Sequence, residues 1–89
     1  PATSPATDAR SAAAERKASQ QALERGKLTD AIAAGERAVA LDPSDGEAWL
    51  ILGAAYQEKG NLAEARRCYG ACVKEGKRGP IGECRAMLR

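Results

Sequence analysis

Apolar residues recur at intervals of three and four along most of this 89-residue chain, a spacing that places them on one face of an α-helix. Glycine or proline interrupts the pattern at Gly26, Pro43, Gly60 and Pro80. No alternation of apolar and polar residues is long enough to predict a strand. The sequence therefore predicts an all-α fold, with helices over 11–25, 29–41, 47–59, 62–75 and 81–89.

A repeat of 34 residues underlies this pattern. Gly26 and Gly60 each end a predicted helix, and they lie 34 positions apart. The same shift pairs identical residues on both sides of these glycines: Glu24 with Glu58, Leu28 with Leu62, Ala31 with Ala65, and Val39 with Val73. Two copies of a helix–turn–helix unit explain these matches, and units of this kind stack into solenoids.

The second copy carries a motif. Its members follow the spacing W-x2-L-G-x2-Y and continue into the next helix: Trp49, Leu52, Gly53, Tyr56, Gly60, Ala65 and Tyr69. This set resembles the tetratricopeptide repeat signature. The helix that holds Trp49 is apolar nearly all round, which is typical of a helix buried on more than one side. We therefore interpret Trp49 and Tyr56 as core residues, against the alternative of a platform for ligand stacking.

The first copy is a degenerate version of the same motif, because Glu15, Ala18, Ser19 and Ala22 occupy the first four slots. The resemblance implies two helix-turn-helix units and a C-terminal capping helix, a fragment of an α-α superhelix. We divide the chain accordingly into a flexible linker over 1–10, a degenerate repeat over 11–45, a second repeat over 46–79 and the capping helix over 80–89.

The resemblance also implies a function, since tetratricopeptide repeats generally bind other proteins in a concave groove lined by the first helix of each pair. Six residues, which we call the candidate groove set, map to that groove: Arg16, Gln20, Leu23, Leu50, Ala54 and Gln57. The expected ligand is a peptide or helix of a partner protein, with Leu50 as an apolar contact. The alternative for Leu50 is packing under the last helix, against Ile81 or Leu88.

One known ligand of such grooves is not favoured. Some family members hold the carboxylate tail of chaperones with a clamp of Lys, Asn and Arg. In this chain Gln20 and Ala54 stand where asparagines would be needed, and only Arg16 fits the clamp.

Composition narrows the chemistry further. The 14 basic and 12 acidic residues give a net charge of +2, and the densest basic stretch, 74–78, has no aromatic residue to stack on bases, so nucleic acid is not an expected partner. Histidine is absent, which excludes His-based triads and HExxH zinc sites. No glycine-rich phosphate loop follows a strand. We expect no catalysis, no metal and no cofactor in this segment.

The three cysteines leave two alternatives open. Cys68, Cys72 and Cys84 do not have zinc-site spacing. They are either buried thiols, which we favour, or a Cys72–Cys84 disulfide with Cys68 left over. The compartment depends on this choice: thiols favour the cytoplasm, whereas a disulfide indicates a periplasmic or other extracytoplasmic location.

The ends of the chain and its composition lead to expectations about targeting, source and parent protein. No apolar run is long enough to span a membrane, and no signal peptide is evident. The chain lacks an initiator methionine, so we expect a fragment, and its alanine, arginine and glycine content suggests a bacterium. Two further functions remain as alternatives: a C-terminal accessory or regulatory domain of a larger bacterial enzyme such as a signalling kinase, or a self-association domain. A homodimer through the alanine-rich first helix also stays open.

Overall fold

The computed structural model describes residues 5–89, with side chains from residue 11 onward. It contains five helices and, within that range, no strand: α1 (Pro5–Glu24), α2 (Leu28–Leu41), α3 (Gly46–Glu58), α4 (Leu62–Glu75) and α5 (Ile81–Met87). The predicted all-α fold and all five predicted helices are confirmed. Helix α5 is shorter than expected and ends at Met87.

The largest difference from the expected helix bounds is at the start of α1, which begins at Pro5 instead of Ser11. Proline suits the first helical position because its missing N–H has no partner there in any case. Residues 5–10 of the predicted linker therefore lie in α1, and residues 1–4 lie outside the described residues.

The two glycines 34 residues apart end their helices in the same way. Gly26 has φ +74° and Gly60 has φ +88°, in the left-handed region that glycine adopts without steric cost. After Gly60, the N–H of Asn61 donates to Tyr56 O at 2.9 Å; after Gly26, the N–H of Lys27 donates to Ala22 O at 2.8 Å. This pattern is the Schellman motif, and it turns the chain sharply into the next helix.

The helices stack as antiparallel pairs. Each helix packs against the next one along the chain, and α3 also contacts both α1 and α5. Helices α1, α3 and α5 therefore lie side by side in one layer. Helix α5 runs antiparallel to α4, because Ile81 lies beside Gly76, Cys84 beside Cys72, and Leu88 beside Arg66.

The core lies where α3 meets its neighbours. Leu52 is fully buried, Tyr69 is 2% exposed and Trp49 is 6% exposed. The indole N–H of Trp49 donates to the carbonyl oxygen of Pro43 at 2.8 Å, which holds the α2–α3 turn against α3. Trp49 thus acts as the core residue that the sequence predicts.

Candidate functional site

The candidate groove set lies on α1 and α3, two neighbouring helices of one layer. Gln20 and Gln57 are exposed, whereas Leu23, Leu50 and Ala54 are half-buried. The surface therefore combines partly accessible apolar side chains with amide groups. An amide side chain can donate and accept hydrogen bonds, so such a surface can bind both the backbone and the apolar side chains of a peptide.

The sequence leaves two alternatives for Leu50, an accessible contact in the groove or packing under the last helix, and the structure is intermediate between them. It is half-buried and packs against the core cluster, which the half-buried Ile81 of α5 also joins. Part of its surface supports the packing, and the rest stays accessible. A partner contact at Leu50 would therefore cover a side chain that is already held in place by the core.

Arg16 has a structural partner that the sequence did not reveal. Its Nη1 donates to Oδ2 of Asp45 at 2.7 Å, and Asp45 is 3% exposed. The other carboxylate oxygen of Asp45 accepts from the N–H groups of Glu47 at 3.1 Å and Ala48 at 3.4 Å, so Asp45 is the N-cap of α3. The guanidinium therefore balances a buried charge and ties α1 to the start of α3. Less of Arg16 is left to bind a partner.

Gln57 is also partly engaged. Its Oε1 accepts from the hydroxyl of Tyr69 at 2.9 Å. The amide nitrogen of this exposed residue provides two further donors. Gln20 is exposed, and its side chain makes no hydrogen bond within residues 11–89. The two amides are therefore the groups of the candidate groove set that are best suited to polar contact with a partner.

A polar cluster joins α2, α3 and α4 away from the candidate groove set. Tyr56 Oη donates to Oε2 of Glu36, and Arg67 donates to the same oxygen at 2.8 Å. Arg67 also pairs with Glu64 at 2.7 Å, at the i,i+3 spacing that brings two side chains together on one helix face. Burial, followed by the hydrogen bond to Glu36, raises the pKa of Tyr56 to about 12. The hydroxyl therefore stays protonated at neutral pH and acts as a structural donor.

The α2–α3 turn is held by the α4–α5 loop. Arg78 donates to Asp42 Oδ2 and, at 2.8 Å, to Ser44 Oγ, while the N–H of Gly46 donates to Arg78 O at 3.0 Å. The hydrogen bond from Ser44 and that from Arg78 hold the pKa of Asp42 below its ordinary value. Sequence reasoning missed this contact, although Asp42 and Arg78 are oppositely charged residues in the two loops that follow α2 and α4.

The structure joins Cys72 and Cys84 by a disulfide, with the two Cα atoms 6.1 Å apart. The sequence favours buried thiols and leaves this disulfide as the alternative; for the protein in solution the disulfide stays a prediction. Cys68 is a free, fully buried thiol, and burial raises its pKa to about 12. A thiol with such a pKa is almost entirely protonated at neutral pH, so Cys68 is a poor nucleophile.

Among the described residues, no three metal-ligating side chains come together and no pocket is enclosed. Nor does any described helix combine the length and apolar character needed to cross a membrane.

Paired antiparallel helices in side-by-side register define the class of this protein as an α-solenoid of helical hairpins. The tetratricopeptide repeat family model matches residues 22–76, which is more than half of the chain. The chain belongs to the tetratricopeptide repeat family. None of the curated proteins and none of the solved structures matches it. Repeats of this family typically serve as non-catalytic scaffolds for protein–protein interaction, and this supports the same general role and a protein partner for this chain.

Proposed function

We propose that this chain binds a peptide or a helix of a partner protein on the candidate groove set, and that it does so without chemistry of its own. The observation that carries the proposal is the half-buried Leu50, which the core holds in place on α3 next to α1. A fixed apolar side chain loses little conformational entropy on binding, so its burial by a partner favours association.

Leu23 on α1 and Ala54, one turn further along α3 than Leu50, are the other apolar members of the proposed site. Gln20 and Gln57 provide exposed amides at its edge. Arg16 contributes mainly by fixing the angle between α1 and α3 through Asp45. The proposed site therefore has an apolar centre, a polar edge and a rigid support, which is the usual composition of a protein interface.

The test is a pull-down from a lysate of the source organism with the wild-type chain and two variants. Leu50→Arg places a charge in the proposed contact, while Ala33→Arg places the same charge at an exposed position of α2. Wild type and Ala33→Arg are expected to capture the same protein, and Leu50→Arg is expected to lose it. Circular dichroism must show equal helicity in all three proteins.

Two results would contradict the proposal. Capture of the same protein by Leu50→Arg would place binding on another surface. If the chain captures only longer proteins that contain its own sequence, the result would instead favour a self-association domain. The third alternative, an accessory domain of a larger enzyme, is compatible with groove binding and is decided by the sequence that adjoins this segment. The same proposal includes the repeat boundaries at 45/46 and 79/80. It also includes the cellular compartment, which depends on whether Cys72 and Cys84 are thiols or form a disulfide.

A further inference from the structure

Charge is distributed unevenly along the solenoid. Residues 66–89 contain seven basic and two acidic side chains, a net charge of +5. Residues 11–65 contain six basic and nine acidic side chains, a net charge of −3. The overall charge of +2 hides this difference. This C-terminal stretch, which forms most of α4 together with α5, is strongly basic.

Most of this basic charge is not used inside the protein. Arg67 forms ion pairs with Glu36 and Glu64, and Arg78 forms one with Asp42. The remaining five side chains are exposed and form no ion pair within residues 11–89; we call them the basic surface: Arg66, Lys74, Lys77, Arg85 and Arg89. Like charges on one surface repel each other, so an unpaired set of this size is stabilised by an anionic partner.

Three of the five lie toward the same end of the α4–α5 pair, because α5 runs antiparallel to α4. Arg66 Nη2 lies 3.5 Å from the carbonyl oxygen of Leu88, at the C-terminal end of α5. Arg85 lies one turn before Leu88, and Arg89 directly follows it. Arginine binds carboxylates through two parallel hydrogen bonds, so this cluster is suited to recognising acidic side chains.

Exposed apolar side chains accompany the charge. Leu62, one helical turn before Arg66, is 61% exposed, and Met87, between Arg85 and Arg89, is 41% exposed. The surface also has an opening: Gly70 lies between Arg66 and Lys74 at i, i+4 spacing, and a Cβ atom built on it meets no other atom within 4 Å. A bound chain can therefore approach the α4 backbone between two basic side chains.

We propose that the basic surface, together with Leu62, Gly70 and Met87, docks an acidic amphipathic peptide segment of a protein partner. Carboxylates of the peptide pair with Arg66, Arg85 and Arg89, and its apolar side chains cover Leu62 and Met87. Nucleic acid fits less well, because single strands bind through stacking on accessible aromatic rings. Trp49 and Tyr69 are buried, and Tyr56 is half-buried and hydrogen-bonded to Glu36. The site shares no residue with the candidate groove set, so either proposal can fail alone.

The experiment is an NMR titration of the ¹⁵N-labelled chain with a synthetic helix-forming peptide that carries glutamates on one face and leucines on the other. The matched peptide has glutamine in place of every glutamate. We expect the acidic peptide to shift the amide signals of Leu62, Arg66, Gly70, Arg85 and Met87. Its affinity should fall between low salt and about 150 mM salt, because exposed ion pairs are screened.

Two variants with the same change of net charge separate a docking surface from a general charge effect. Arg66→Glu/Arg85→Glu alters the basic surface, while Lys17→Glu/Arg25→Glu alters two exposed basic residues of the first hairpin that form no ion pair within residues 11–89. The first is expected to weaken binding by at least about tenfold, and the second by much less. A third variant, Gly70→Leu, keeps the charge, fills the opening and should also weaken binding.

Several results would overturn the proposal. Equal loss of affinity in both double variants would show that only net charge matters. Equal affinity for the glutamine peptide, or no binding at low salt, would remove the role of the carboxylates. Tighter binding of a single-stranded oligonucleotide or of anionic lipid vesicles, with shifts at the same residues, would assign the surface to that ligand instead. Shifts confined to Gln20, Leu50 and Ala54 would place the acidic peptide in the groove.

Discussion

The two hairpins of this solenoid differ in the residue that fills the space between their two helices. In the second hairpin, Gly53 of α3 makes room for the ring of Tyr69 on α4, and a Cβ atom on Gly53 would overlap that ring. The equivalent positions of the first hairpin, 34 residues earlier, are Ser19 and Gly35. There the glycine is on the second helix, and the space is filled by Leu52 from the next hairpin, whose Cδ1 lies 2.9 Å from a Cβ atom built on Gly35.

This difference shows which hairpin depends on its neighbour. The second hairpin closes its own centre with Tyr69, whose hydroxyl donates to Gln57 of the same hairpin. The first hairpin closes its centre with a residue of the second hairpin, while its own helices are joined by a hydrogen bond from Ser19 Oγ to Ala31 O at 2.7 Å and by the Arg37–Glu15 ion pair. A degenerate motif in the first hairpin is thus compatible with folding, because Leu52 supplies the missing volume.

The largest expected effect on stability comes from the Cys72–Cys84 disulfide, which joins α5 to α4 and so covers the side of the second hairpin that has no following hairpin. The bond links residues 12 positions apart, and a loop of this size corresponds to about 3 kcal/mol of stabilisation. Reduction, or the pair Cys72→Ala/Cys84→Ala, should lower the free energy of unfolding by about that amount in urea denaturation. Alkylation of the native oxidised protein should label no thiol, because Cys68 is buried. Equal stability of oxidised and reduced chains would contradict the disulfide's role.

The next effect tests the self-contained packing of the second hairpin. Gly53→Ala forces a methyl group into the Tyr69 ring, which is buried and held by its hydroxyl, so the ring cannot move aside. We expect a loss of about 2 kcal/mol, measured by chemical denaturation. The cost should fall when Tyr69→Leu is introduced as well, because the smaller side chain leaves space. An equal cost in both backgrounds would show that the ring is not the obstacle.

The corresponding change in the first hairpin should cost less. Gly35→Ala meets Leu52 Cδ1 at 2.9 Å, Ser19 Oγ at 3.1 Å and Leu52 Cβ at 3.2 Å, and all three distances are longer than the approach of a Gly53 Cβ atom to the Tyr69 ring. We expect a loss of about 1 kcal/mol, partly offset by the better helix propensity of alanine. A denaturation curve for each glycine variant on the same chain makes the comparison. A larger loss at Gly35 than at Gly53 would reverse our account of the two hairpins.

The sequence predicted the helices, the repeat and the buried tryptophan because each depends on local pattern: helical spacing, glycine turns and a motif within one hairpin. It did not predict the Arg16–Asp45 pair or the Arg78–Asp42 contact. Both join residues 29 to 36 positions apart, and their partners depend on the angle between stacked hairpins. The composition also concealed the charge asymmetry, because the net charge of −3 over residues 11–65 offsets more than half of the +5 over residues 66–89 in the total.

The start of α1 shows a second limit. Prolines, threonines and a serine in the first ten residues are typical of a linker, yet α1 begins at Pro5. Proline is a helix breaker only in the helix interior, and it is favoured in the first turn. Composition alone does not distinguish a proline in the first turn of a helix from a proline in its interior. The candidate groove set is a different case: it stays a prediction, because only a bound partner can define it.

A third glycine should respond in the opposite direction. Gly70 lies in the interior of α4, and a Cβ atom there meets nothing within 4 Å. Gly70→Ala should therefore stabilise the chain by about 0.5–1 kcal/mol, since alanine has the higher helix propensity and no contact opposes it. The rise should appear in the urea midpoint with an unchanged slope. Destabilisation would mean that α4 has a close neighbour on this side, and would also count against the opening proposed for peptide docking.

The smallest effect concerns pH and the turn between the hairpins. The hydrogen bonds from Ser44 and Arg78 lower the pKa of Asp42 in the folded state. The ionised carboxylate thus favours folding: its contribution is fully present above the unfolded pKa of about 3.9 and is lost as the pH falls through the lower folded pKa. Arg78→Ala should remove part of this acid sensitivity, a difference of a few tenths to about 1 kcal/mol between about pH 7 and about pH 3.

The neighbouring Lys77→Ala variant is the matched control, because Lys77 is exposed and forms no ion pair within residues 11–89. Its denaturation midpoints should follow those of the wild type at every pH, while those of Arg78→Ala and Ser44→Ala converge on them only in acid. The reason is that protonation of Asp42 removes the interaction that both substitutions disrupt. If Lys77→Ala and Arg78→Ala change the pH profile equally, the effect belongs to the net charge of the α4–α5 loop and not to the bond that ties the loop to the α2–α3 turn.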